Sequence, residues 1–117
     1  MFLPNRIRLS RRSTNRLQHI KNKTGVTPNI TSRIAMLLAI RSNDDINNAG
    51  VDSADGQELN KDILFGENIE VYEVLIKQYM NNNKIDMSVA KVIASLVELG
   101  AHKMGHIKTL EQLCELS

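Results

Sequence analysis

A chain of 117 residues, 42% hydrophobic and 24% charged, has the length of one domain and an ordinary globular composition. Two Phe, two Tyr and no Trp argue against a surface that stacks single-stranded bases on aromatic platforms. The lone cysteine, Cys114, excludes an internal disulfide and a thiolate metal cage and fits a reducing cytoplasm. No apolar run approaches the roughly 18 residues of a membrane helix, and no signal-peptide core is visible, so a cytoplasmic protein without membrane attachment is expected.

The net charge of +2 conceals an asymmetry. Residues 1–43 hold seven arginines (Arg6, Arg8, Arg11, Arg12, Arg16, Arg33, Arg41), Lys21 and Lys23 and no acid, a balance of +9. Residues 44–117 hold six lysines and thirteen acids, a balance of −7. One domain over 1–117, with a basic half and an acidic half, is the expected organisation. Nine cations with no carboxylate among them repel one another unless something neutralises them. The acidic half of the same fold could do so, as could a neighbouring subunit or a polyphosphate backbone.

In chain order, Met1–Leu9 reads as an extended arm, because Pro4 disfavours helix at Leu3. Ile7 and Leu9 point one way and Arg6 and Arg8 the other, a weak strand pattern. Ser10 caps a helix over about 11–23, whose thin apolar side is supplied by Leu9, Leu17 and Ile20. Arg12, Arg16 and Lys23 form a basic stripe along it, and His19 reads as a surface histidine. Thr24-Gly25 breaks the helix, since glycine takes the positive φ of a helix C-terminus. Thr27 then caps a second helix with Pro28 at its first position, running to Arg41. Ile30, Ile34, Leu37 and Leu38 predict its apolar face. Leu17–Arg41 is thus a helix–turn–helix corner carrying cations.

Ser42–Gly56 is a polar loop. Asp44, Asp45, Asp52 and Asp55 lack the spacing of an EF-hand, and a solvated loop is the expectation. Gln57–Phe65 is ambiguous between a short strand and a docked helical turn. A third helix opens at Glu67 or Asn68 and runs to Met80, burying Ile69, Tyr72, Leu75, Ile76 and Tyr79. Asp86 caps a fourth, Met87–Leu99, apolar nearly all round and ended by Gly100; such a helix is central or makes a subunit interface, and the central place is the expectation. In the tail, Ile107, Leu110, Leu113, Cys114 and Leu116 recur at helical spacing, with Thr109 and Gln112 as a capping pair. The expected fold is mainly α, with a helix–turn–helix-like N-terminal unit and one short β-ribbon.

No P-loop, GxGxxG, HExxH or CxxC is present. His102 and His106 have a metal ligand's spacing but no third ligand, and Cys114 in an apolar stripe reads as inert packing. No catalytic residue, cofactor or metal is expected.

Four stretches together resemble one family: KTGVTPNITSRIAMLLAI (23–40), DGQELNKDILFGE (55–67), the third-helix segment and LGAHKMGHI (99–107). They are similar to DndE, the small protein of the bacterial DNA sulfur-modification (phosphorothioation) system, over nearly the whole chain. The T-G-x-T-P-N turn and the D-G-x-E-L-N…L-F-G-E block are the specific parts. The resemblance implies a non-catalytic, oligomeric accessory, a tetramer, that binds double-stranded DNA with a preference for nicks. Its implied partners are the other proteins of the system: a cysteine desulfurase and enzymes that replace a non-bridging phosphate oxygen with sulfur.

Three functions follow. The first is duplex-DNA binding through phosphates by Arg11, Arg12, Arg16, Lys21, Lys23 and Arg33, with Arg6, Arg8 and Arg41 secondary and little base readout. The second is an oligomeric scaffold for the sulfur-modification enzymes that does not itself touch DNA. The third is a helix-turn-helix repressor.

Overall fold

The computed structural model describes residues 2–49 and 55–116, so Asp52 of the acidic loop lies outside them. The alternation at the start of the chain is realised as strand β1 (Arg6–Arg8), paired antiparallel with β2 (Glu58–Asn60), Ile7 opposite Leu59. Ile7 and Leu9 are wholly buried and the two arginines exposed, because successive side chains of a strand alternate faces. The ambiguous stretch 57–65 is both elements in succession. β2 runs directly into helix α3 (Lys61–Phe65), where the Asn60 side chain accepts a hydrogen bond from the Asp62 N–H at 2.8 Å.

Helix α1 (Arg11–Thr24) starts where Ser10 Oγ accepts from the Ser13 N–H at 3.0 Å. It stops at Gly25, whose φ of 80° lets its N–H return to the Lys21 carbonyl at 2.7 Å. Helix α2 (Pro28–Arg41) has the expected bounds, but its cap differs. Thr27 holds the N-cap position with extended backbone, yet its hydroxyl bonds to the Asn29 side chain instead of to a backbone N–H.

The buried face of α2 corrects the periodicity. Thr31, Ser32, Ala35, Met36, Leu38 and Ala39 are buried, while Ile30 and Leu37 are 42% and 37% exposed. Small side chains face inward because α2 packs tightly along helix α5 (Val89–Lys103). Gly100 of α5 lies so close that a Cβ there would stand 1.8 Å from the Ala35 carbonyl oxygen. Gly100 therefore does not end the helix, as its type suggests; it admits a neighbouring backbone. The start of α5 is also later than expected, with Ser88 Oγ in place of Asp86 accepting from the Lys91 N–H at 3.3 Å. Lys84, at φ 51°, and the following residues form the turn that delays it.

Helix α5 is the centre, as its all-round apolar character predicts: Val92, Ile93, Leu96 and Val97 are wholly buried. They join Leu17, Met36, Phe65 and Ile76 in the main core. Ile93→Ala or Leu96→Ala is expected to cost about 2–5 kcal/mol, read as a shifted midpoint in urea unfolding; a loss near zero would mean the helix is not core.

Helix α4 (Ile69–Asn82) buries Tyr72, Ile76 and Tyr79 and leaves Val71 and Val74 exposed. The Tyr79 hydroxyl donates to the Asp44 carbonyl, and burial, with the Asp45 and Asp44 carboxylates, pushes its ionisation up. That contact, together with an ion pair of 3.0 Å between Lys103 and Asp44, holds the loop after α2. The loop is less bare than its composition suggests: a 3₁₀ turn at Ile46–Asn48 buries Ile46 and Ala49.

Helix α6 (Leu110–Leu116) is capped as the sequence predicts, Thr109 Oγ1 accepting from the Gln112 N–H and Gln112 Oε1 from the Lys108 N–H. Leu113 and Ile107 join a second cluster with Ile20, Ala35, Leu38 and Met104. Leu110 and Cys114 are exposed, so the expected packing of Cys114 does not occur; one docked turn buries only one side of so short a helix. The fold is mainly α with one short β-ribbon, and no helix among the described residues is long and apolar enough to cross a membrane.

Candidate nucleic-acid interface

The nine cations of the basic half fall into two sets. The first set meets carboxylates from the acidic half of the same chain. On β1, Arg6 Nη1 and Arg8 Nη2 reach Glu58 of β2 at 3.4 and 3.2 Å, because antiparallel pairing places Glu58 opposite Arg8. At the start of α1, the Arg11 backbone N–H donates to Asp55 at 2.9 Å and holds that carboxyl below its ordinary value. The Arg11 guanidinium stands 3.7 Å from the same group.

The basic stripe of α1 points elsewhere than to open solvent. Arg12 Nε and Arg16 Nη1 lie 3.4 and 3.0 Å from one oxygen of Glu98, while Ser10 Oγ donates to the other at 2.7 Å. Glu98 is 3% exposed, a buried carboxylate on the central helix. Buried charges of this kind persist only when paired and hydrogen-bonded, and here three donors from α1 and its cap serve that need. The sequence reading missed Glu98. Its signal was a single acid within the otherwise apolar run VIASLVELGA. Of the three neutralising agents left open above, the same fold accounts for five arginines. These pairs remain accessible: the Arg6, Arg11 and Arg12 side chains are more than half exposed.

The second set has no ion-pair partner among the described residues: Lys21, Lys23, Arg33 and Arg41. Lys21 and Lys23 are exposed in the last turn of α1, beside the Gly25 corner, where cations suit the negative end of the helix dipole. Arg33 is half-buried on α2, its Nε donating to the Asn29 carbonyl at 3.4 Å and its guanidinium lying over Gly66. Arg41 is exposed at the end of α2. The structure thus brings Arg12 and Arg16 together at Glu98 and gathers Arg6 and Arg8 at Glu58, while Lys23, further along the same continuous helix, is exposed and does not reach Glu98.

His19, His102 and His106 are exposed, and the His106 ring nitrogen lies 3.1 Å from the Lys103 carbonyl. Among the described residues no three His, Cys, Asp or Glu side chains gather as metal ligands.

The class these features define is a small, mainly helical protein that presents cations at a helical corner over a core built on α2 and α5. Residues 6–112 match the family model of DNA sulphur modification protein DndE, and the chain belongs to the DndE family. It resembles the crystal structure of DndE from Escherichia coli B7A, involved in DNA phosphorothioation modification. The two are 29% identical, the alignment covers 87% of this chain and 98% of that one, and the TM-score is 0.71. A crystal structure of a glycine-to-lysine DndE mutant, involved in DNA phosphorothioation, is 27% identical with the same coverage and TM-score. No curated protein matches.

Proposed function

We propose that this protein is a non-catalytic, cytoplasmic accessory of DNA phosphorothioation, one domain that binds duplex DNA, nicked duplex in preference, through its phosphates. The observation that carries this reading is a set of cations with no carboxylate partner among the described residues: exposed Lys21 and Lys23 beside the α1–α2 corner, half-buried Arg33 along α2 and exposed Arg41 at the far end of α2. Arg6, Arg8 and Arg11 add to it where surface ion pairs, worth about 0–1 kcal/mol, yield to phosphate oxygens, while Arg12 and Arg16 add to it without leaving the buried Glu98. Contacts of this kind carry no sequence information.

Fluorescence anisotropy on intact and nicked duplexes at several salt concentrations tests this. With about four to six phosphates neutralised, log K against log[salt] slopes near −4 to −5. Lys21→Ala or Lys23→Ala each flattens the slope by about one. Because Arg12 and Arg16 also hold Glu98, Lys21→Glu with Lys23→Glu is the cleaner reversal, and it weakens unrelated sequences alike. Salt-independent binding, or wild-type affinity in that double variant, would assign the basic half to protein contacts.

The second reading, an assembly protein, is supported by a different observation. Ile30 and Leu37 of α2 and Ile63 of α3, at 58% exposure, leave apolar surface uncovered. It suits the homo-oligomer, a tetramer, proposed with either function, and contacts with other proteins of the system. Light scattering in the same buffers distinguishes the two: salt-sensitive oligomers with no DNA affinity favour the scaffold. A repressor has less behind it, because the apolar outer face of α2 is unlike the polar surface that reads base edges.

A further inference from the structure

Beside the buried Glu98 lies a cleft of about 220 Å³, formed between α1, the end of α5 and the 3₁₀ turn at Ile46–Asn48. Arg12, Arg16, Asn48, Glu98, Leu99 and His102 line it. Two guanidiniums, an amide and an imidazole thus line one cleft with a single carboxylate, and that carboxylate is occupied by Arg12, Arg16 and Ser10. Glu98 fixes the guanidiniums from below, and the Ala49 carbonyl accepts from Arg12 Nη2 at 3.3 Å on the other edge. Arg16 meets Glu98 through Nη1, one of the five donors of a guanidinium, and its side chain is one-third exposed. The planar fork of an arginine held in this way matches the oxygens of a phosphate.

We propose that this cleft receives a terminal phosphate, a phosphomonoester at the end of a broken DNA strand. The proposal rests on the DNA-binding reading above. The donor set explains why the group should be terminal. α1, the end of α5 and the 3₁₀ turn each contribute a donor-bearing side chain to the cleft. A phosphodiester in a continuous strand keeps two oxygens free of sugars; a 5′-phosphate keeps three for such donors. The monoester also brings up to two negative charges, against one for a diester, to the guanidiniums and His102.

The test uses the full chain and three duplexes: intact, nicked with a 5′-phosphate, and nicked with a 5′-hydroxyl. Wild type is expected to bind the phosphorylated nick about tenfold more tightly than the hydroxyl nick. His102→Ala and Asn48→Ala, both at exposed positions that the core does not need, are expected to bring that ratio near one. Arg16→Ala is a third variant, but Glu98 makes its stability a concern, so the exposed pair decides. Equal affinity for the two nicks in wild type overturns the assignment while leaving DNA binding intact. Absence of binding to all three duplexes overturns the DNA-binding reading and this proposal with it. Inorganic phosphate is titrated separately, with the His102 and Asn48 resonances followed by NMR. Saturation of those signals at concentrations that do not change the nick preference would show a free-phosphate site and overturn the assignment to a strand end.

Discussion

Gly100→Ala is expected to destabilise this protein by about 3–5 kcal/mol or to prevent folding. In an exposed helix the same change gains about 0.5–1 kcal/mol, because glycine loses more backbone entropy on folding. Here the sign reverses. The added methyl would stand 1.8 Å from the Ala35 carbonyl oxygen, 2.2 Å from its carbon and 2.5 Å from the Ala35 Cα. These are backbone atoms of α2, so no rotamer relieves the clash and the two helices must separate. Separation loosens the buried small-residue face of α2 against the centre of the core, well above the usual cost of overpacking. Gly25→Ala is the comparison. Gly25 has φ 80° with nothing within 4 Å of a Cβ, so about 1–2 kcal/mol of backbone strain is expected and no steric clash. Urea unfolding of both variants checks the contrast. Wild-type stability in Gly100→Ala would show that α2 and α5 do not meet at this distance.

The second large effect is at Glu98. Arg12→Ala combined with Arg16→Ala leaves a 3% exposed carboxylate without its two guanidiniums, the Ser10 hydroxyl still donating to it, and about 3–5 kcal/mol is expected to be lost. Each single substitution costs less, since the other guanidinium stays on the same oxygen, so the pair is non-additive. Adding Glu98→Gln to the double variant removes the stranded charge and recovers a large part of the loss. Additive single losses with no recovery in the triple variant would mean that Glu98 does not depend on these arginines. The same variants separate fold from function: a stability loss that Glu98→Gln restores, without restoring DNA affinity, isolates the arginines' phosphate contacts from their structural ones.

Much of this protein follows from local chemistry in the sequence. Ser10, Gly25 and Pro28 set the bounds of α1 and α2, because caps, positive φ and a missing N–H act within a few residues. The alternation around Ile7 determined the inward side of the arm, and the apolar run Val92–Val97 identified the central helix. The Thr109–Gln112 pair located the start of α6. The basic and acidic halves were equally plain as composition.

Tertiary structure decided the rest. Apolar spacing on α2 pointed to Ile30, Ile34, Leu37 and Leu38; Leu38 is buried, but Ile30 and Leu37 are exposed and Thr31, Ser32, Ala35 and Ala39 join Met36 on the inward face, because a partner helix bearing Gly100 comes close at Ala35. Helix periodicity describes a residue's neighbours on its own helix and not the distance of the next one. The carboxylates that meet the arginines lie 44 or more positions away, at Asp55, Glu58 and Glu98. No pattern along the chain joins groups so far apart. Whether a cation is held by the fold or offered to a phosphate is therefore a property of how β2 and α5 pack against the basic half, and that packing divides Arg12 and Arg16 from Lys21 and Lys23.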